Sequence, residues 1–156
     1  MLIDQHRAHE RILYEEFLAS LEVGVSMNQQ HLFPHELTFS PADFNLLLEM
    51  EEDLRNLGIS IRQIGKNTFA VDGVASHFPS DNIPQLLDDM LEFFKNEFAE
   101  SHNKHDALAK SLARKSAIRY GKALTTEEMS DLVDKLFACK MPYYSPNGKP
   151  VIIKLS

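Results

Sequence analysis

The run from Ile83 to Phe98 constrains the architecture of this chain more than any other stretch. After Ile83, the apolar residues Leu86, Leu87, Met90, Leu91, Phe94 and Phe98 recur at i+3, i+4, i+7, i+8, i+11 and i+15, the spacing of a helix with one apolar face. Such a helix has to cover a second layer that is apolar on the facing side. The rest of the sequence must supply that layer.

The other segments alternate between strand-like and helix-like patterns. Leu2-Ile3 reads as the end of a strand. About His6 to Leu21 reads as a helix with Ile12, Leu13, Phe17 and Leu21 among its apolar positions, and Asp4 stands where it can cap it. A loop through Gly24 to Gln30 leads to Leu32-Phe33-Pro34 and to Leu37-Thr38-Phe39, which alternates like a short strand. Ser40-Pro41 opens a second helix, carried by Phe44, Leu47, Leu48, Leu54 and Leu57 and stopped by Gly58. Ile59 to Ile64 and Thr68 to Ala75 are β-rich runs separated by Gly65-Lys66-Asn67, the composition of a hairpin. A helix rich in small residues (Ala107, Ala109, Ala113, Ala117) is expected to run to about Gly121 and to pack closely on a neighbour. Thr125 and Glu128 form a capping-box pattern ahead of a last helix, and Ser145 to Gly148 is a turn before a closing strand, Val151 to Leu155. Strands interleaved with helices, without repeats, give an α/β (α+β) fold class.

With 156 residues and 44 % hydrophobic content, the chain can bury one sizeable core, or one core with a satellite. A soluble protein is expected. No run approaches the roughly 18 to 20 apolar residues of a membrane span, so no membrane partner is expected. Met1-Leu2-Ile3-Asp4 turns acidic too soon for a signal peptide. The single cysteine, Cys139, excludes an internal disulfide, and no Cys-x-x-Cys pair offers a thiolate zinc site. A reducing cytoplasm fits that usage.

The formal charge of −7 argues against a protein that coats DNA by bulk electrostatics. Its distribution is uneven. Residues 1–28 carry two cations against five anions, 29–112 six against fourteen, and 113–156 eight against four. A solvated face accounts for such a shift, and so does a last third that meets something anionic. Within that third, Arg114, Lys115, Arg119 and Lys122 would span about 140° of one helix face if the helix persists to 122. Two readings stay open for this stripe: contact with DNA phosphates, or cations offsetting the dipole at a helix C-terminus.

Asp4, His6 and Glu10 place two carboxylates and an imidazole within seven residues. His6 and Glu10 share a helical face and Asp4 can turn toward them, so a divalent cation can bridge the three. The alternative is structural: Asp4 caps the helix, His6 is a partly buried polar residue, and Glu10 pairs with Arg7 or Arg11 on the surface.

Three separated segments together resemble the C-terminal region of MutL-type DNA mismatch-repair proteins, over essentially the whole chain. Asp4-Gln5-His6-Arg7-Ala8-His9-Glu10, followed by Glu15, is similar to the family's Asp-Gln-His-Ala, two spacers, Glu, four spacers, Glu signature, with Arg7 in place of Ala. Ala113-Arg114-Lys115-Ser116 resembles the family's Ala-Cys-Arg-Lys-Ser region, its cysteine being Ala113 here. Ser145-Pro146-Asn147-Gly148-Lys149-Pro150 is similar to the family's Cys-Pro-His-Gly-Arg-Pro motif, with cysteine and histidine replaced by Ser145 and Asn147.

The resemblance implies a discontinuous dimerisation subdomain, about 1–28 with 113–156, carrying an inserted regulatory subdomain of about 29–112. It implies that the chain starts inside the fold of a longer protein with an upstream ATPase region. In nuclease-active relatives the Asp4, His6 and Glu10 positions join two cysteines and a histidine around zinc and a catalytic metal. Losing two thiolates and one imidazole makes zinc binding unexpected; the oxygen-rich remainder suits Mn²⁺ or Mg²⁺, and weakly. Gln29-Gln30-His31-Leu32-Phe33-Pro34 resembles the motif with which the family touches the bacterial sliding clamp, Gln29, Leu32, Phe33 and Pro34 being the matching positions; the alternative is that Leu32 and Phe33 belong to the core of a strand edge. The implied partners are a second copy of the chain, the clamp, DNA weakly, and a mismatch-recognition protein through the longer protein. The implied place is the bacterial cytoplasm, at the nucleoid during repair. The expected role is a dimerisation and recruitment module with a degenerate nuclease site; the rival is an Mn²⁺- or Mg²⁺-dependent DNA-nicking endonuclease.

Overall fold

The computed structural model describes residues 2–24, 30–76, 78, 82–118 and 121–153, with only the backbone of 30–33. The elements are β1 (Leu2–Ile3), α1 (Gln5–Val23), β2 (Gln30–Thr38), α2 (Pro41–Glu49), α3 (Glu51–Asn56), β3 (Ile59–Gly65), β4 (Thr68–Val74), α4 (Ile83–Ser101), α5 (Lys104–Ser116), α6 (Thr126–Ala138) and β5 (Ile152–Ile153). This is a mixed helix-and-sheet fold. Among the described residues no helix is long and apolar enough to cross a membrane.

Local chemistry fixes most helix ends. The Asp4 carboxylate accepts from the Arg7 amide at 3.0 Å, and Gly24 closes α1 at φ 76°. Ser40 caps α2 ahead of Pro41, Asn82 caps α4, and Thr125 with Glu128 completes the expected capping box on α6. The pattern from Phe44 to Leu57 reads as one helix. In the structure it is two, broken at Met50, which leaves helical geometry at φ −98°, ψ 2° with its side chain fully buried. Sequence periodicity spans the break because both pieces bury residues in the same core.

The second correction is α5, which stops at Ser116 instead of continuing to Gly121. Ala117 is already extended at φ −65°, ψ 152°. The next residue has both backbone groups taken by α1: the Ile118 amide donates to His9 Nδ1 and the Ile118 carbonyl accepts from His6 Nδ1, each at 2.7 Å. Side chains of another helix supply the bonds that a further helical turn would have made.

Two small sheets flank the helices. β1 and β5 form an antiparallel ribbon, Leu2 opposite Ile153 and Ile3 opposite Ile152. β3 and β4 form the expected hairpin, and β2 pairs with the other side of β4, giving the order β2-β4-β3. The large core joins Leu13, Phe17 and Leu21 of α1 to the sheet and to α2, α4 and α5. Phe17 stacks on Phe78 with centroids 5.5 Å apart and Phe44 on Phe69 at 4.6 Å. The α4 stripe is buried from Ile83 to Phe94, each such side chain contributing about 1.5 to 3 kcal/mol, while Phe98 stays 40 % exposed. A smaller cluster of Ala8, Ile12, Leu132, Leu136 and Val151 holds α6 and the last strand to the other side of α1. Helix α1 therefore serves both clusters, and its N-terminal turns carry the residues of the candidate site.

Candidate functional site

The strand-to-helix junction is built by β1 ending directly in the cap. The Asp4 amide donates to the Val151 carbonyl at 2.8 Å, which ties the start of α1 to the closing segment of the chain. The Asp4 carboxylate is engaged by the Arg7 amide and by Arg7 Nε at 3.4 Å. His6, one turn behind Glu10, uses Nδ1 on the Ile118 carbonyl and places Nε2 3.7 Å from a Glu10 oxygen.

Glu10 is 5 % exposed. The surface pairing with Arg7 or Arg11 weighed above is therefore not what forms. Arg7 turns instead to Asp4 and to the Pro150 carbonyl at 2.9 Å, while Arg11 donates to the Tyr144 carbonyl at 2.8 Å and meets Glu15 at 3.4 Å. Burial pushes the Glu10 carboxyl above its usual range; His6, Arg114, Lys149 and Arg11, in that order, pull it back toward the charged form. The site is thus a buried carboxylate in a cationic surround.

Arg7 and Arg11 both reach the turn that carries the third motif. In it the Ser145 amide donates to the Lys149 carbonyl at 2.8 Å, the Lys149 amide donates to Ser145 Oγ at 3.1 Å, and Gly148 takes φ 82°. Only a residue tolerant of the left-handed region suits that position. Ser145 is buried with its hydroxyl spent inside the turn, Asn147 is exposed, and Ala113 is fully buried.

These residues do not fit zinc. The three positions that would complete the ligand set are an alkyl group, a hydroxyl engaged with backbone, and an exposed amide; tetrahedral zinc asks for thiolate and imidazole. Among the described residues no three His, Cys, Asp or Glu side chains are grouped to hold a metal ion. Asp4, His6 and Glu10 are near one another in sequence and share a helix end, but Asp4 faces Arg7.

The other candidate residues separate. Gln29 lies outside the described residues. Leu32 and Phe33 fall within β2, an edge strand whose register to β4 shifts between His31 and His35, and Pro34 on that edge is exposed. The basic stripe does not form on one helix, because α5 ends at Ser116, just after Arg114 and Lys115. Arg119 lies outside the described residues and Lys122 is exposed beyond the helix. Arg114 and Lys115 both pack on the Phe93 ring, at 4.6 and 4.9 Å, and Lys115 pairs with Asp89 at 3.2 Å. Lys149 was not singled out by sequence reasoning, its register with the motif's arginine being the available signal. His9, beside the signature but about 100° from Glu10 on an ideal helix and so poorly placed as a substitute ligand, instead accepts from the Ile118 amide.

Taken together, the ribbon, the capped junction and the motif turn docked on α1 define a helix-rich α/β module built around one modified strand-to-helix signature. Residues 1–124 match the model of the MutL C terminal dimerisation domain, and the chain belongs to that family. It is 41 % identical over 157 residues to the DNA mismatch repair protein MutL of Chlorobium phaeobacteroides, covering 100 % of this chain and 25 % of that protein. The DNA mismatch repair protein MutL of Chloroherpeton thalassium is also 41 % identical, with 100 % and 24 % covered. That of Chlorobium limicola is 38 % identical over 156 residues, with 99 % and 25 % covered. The chain spans about a quarter of the length of these curated relatives.

Proposed function

We propose that this chain is a dimerisation and recruitment module in DNA mismatch repair: it pairs two copies of a longer protein and offers Gln29 to Pro34 to the replication sliding clamp, while its nuclease site has degenerated. The observation that carries the last point is the disposition of the signature residues. Asp4 is held by Arg7, His6 by the Ile118 carbonyl, and Glu10 is buried among cations rather than aligned with further ligands. Two-metal hydrolysis of nucleic acid needs more free oxygen and nitrogen donors than this arrangement leaves.

Pairing of two copies is supported by the β1–β5 ribbon, where Leu2 and Ile153 sit opposite each other and are 54 % and 44 % exposed. Exposed apolar side chains on this ribbon suit association with an identical surface. Pro34, exposed on an edge strand, supports the clamp reading, since a proline limits the entropy a docking peptide loses. Arg114 and Lys149, exposed and acting on Glu10 at the junction, and Lys122, exposed beyond α5, give weak DNA contact on this reading. The ATPase region and contact with a mismatch-recognition protein belong, on this reading, to the rest of the longer protein.

The deciding experiment is nicking of supercoiled plasmid by the longer protein with Mn²⁺ and loaded clamp, wild type against Asp4→Asn. Activity that Asp4→Asn abolishes would make the junction an enzyme site and overturn the reading. A clamp pull-down with Leu32→Ala and Phe33→Ala tests recruitment, and sedimentation of Leu2→Asp with Ile153→Asp tests pairing.

A further inference from the structure

Helices α1 and α6 line two adjoining hollows of about 270 and 290 Å³ that share Ile12, Glu16 and Lys135. They form one groove. On α1 its wall is His9, Ile12, Glu16 and Ala19; on α6 it is Glu128, Asp131, Lys135 and Ala138. Both sets follow the spacing i, i+3, i+7, i+10, so each helix presents a single stripe along about 15 Å of groove. The two stripes face each other across a floor that includes Ile12, Leu13 and Leu132, all buried, and Ala19 and Ala138 at one end leave room for close approach.

The rim is charged on one side of the balance. Glu16, Glu128 and Asp131 stand against Lys135, all four exposed, while a further carboxylate, Glu15, is taken up by Arg11 and by the Lys140 and Met141 amides. Among the described residues neither Glu16 nor Asp131 forms an ion pair within 4 Å. Glu128 is held at the helix start by its own capping box. A trough of this length between two helices, apolar below and anionic above, accommodates a third helix that carries apolar residues on one face and cations flanking them.

We propose that the α1–α6 groove is a docking site for a basic amphipathic helix of a partner protein. Its apolar face seats over Ile12 and Leu132, and its lysines or arginines meet Glu16 and Asp131. No residue of β1 or β5 lines the groove.

The unique cysteine reports on the groove directly, because Cys139 lines its far end. The probe is a fluorescent helical peptide of about 12 residues, long enough to span the stripe, with leucines on one face and lysines on the other; a Leu/Glu peptide of the same pattern is the control. With the full 156-residue chain, the Leu/Lys peptide is expected to bind by fluorescence anisotropy and to slow alkylation of Cys139. Glu16→Lys with Asp131→Lys should weaken binding about tenfold or more. The same charge change at Asp88 and Glu92, exposed on α4, should leave it within about twofold. Equal losses in the two variants mean generic attraction to an acidic protein and overturn the proposal. So do binding without protection of Cys139, equal binding of the Leu/Glu peptide, and absence of binding. Dissociation of the dimer by the Glu16→Lys, Asp131→Lys variant makes a second copy the occupant and likewise overturns it.

Discussion

His9 Nδ1 accepts the backbone N–H of Ile118 at 2.7 Å. Because His6 holds the carbonyl of the same residue, two side chains one turn apart on α1 clasp a single peptide unit just past the end of α5. The geometry dictates opposite protonation at equivalent atoms: His9 Nδ1 is without a proton and His6 Nδ1 carries one. Nitrogen-15 spectra of the histidine rings should show these two different states at neutral pH. Identical ring signatures would contradict the clasp.

Removing either arm leaves a partly buried backbone group without its bond. His6→Ala and His9→Ala should each destabilise the fold by about 1 to 2 kcal/mol in urea unfolding. Since both act on Ile118, the double variant should lose less than the sum of the singles. Full additivity would mean that the two bonds do not share a unit.

Glu10→Gln keeps the shape of the buried side chain and removes its charge. Burial is the largest influence on that carboxyl, so the neutral isostere should cost no more than about 1 kcal/mol. A chelator should leave the melting temperature of the wild-type chain unchanged, and added Zn²⁺ should not raise it. A rise that Glu10→Gln removes would point to a metal held at the junction.

Cys139 offers a pH test. Burial, with Glu15 adding to it, pushes its thiol from the ordinary 9.0 to about 11. Between those values the unfolded chain has lost a proton that the folded chain keeps, so stability should fall as pH rises from about 9 to about 11. Cys139→Ala should flatten that part of the profile. At pH 8 alkylation should be slow and should accelerate on denaturation.

Gly58 closes α3 at φ 93°, and a Cβ there would stand 2.5 Å from the Cβ of Ala75. Gly58→Ala should therefore destabilise by about 2 kcal/mol or more, adding strain in the left-handed region to a clash beneath β3. A thermal melt within a degree of wild type would show that the turn opens without cost.

Much of the fold was legible in the sequence because its signals were local. The α4 stripe, the Thr125–Glu128 box, the β3–β4 hairpin and the Asp4 cap each depend on residues close in the chain. The misread boundaries were set from elsewhere: α5 ends where His6 and His9 take over the backbone of Ile118, more than a hundred positions away, and periodicity through Met50 gave no sign of the break between α2 and α3. The candidate site divides the same way. The His6–Glu10 pair follows from their spacing, whereas the burial of Glu10 and the approach of Lys149 depend on how the 145–150 turn docks against α1.

The pairing of β1 with β5 also has a mechanical consequence. Leu2 and Ile153 are direct neighbours across the ribbon, so tension applied between them passes through two residue pairs and bypasses the helices. Pulling at those points peels the ribbon one pair at a time, and the first event under load is separation of the strands with the large core still closed. A tether attached at both points would therefore behave as a short clasp that yields early, with the Asp4–Val151 bond as the next catch.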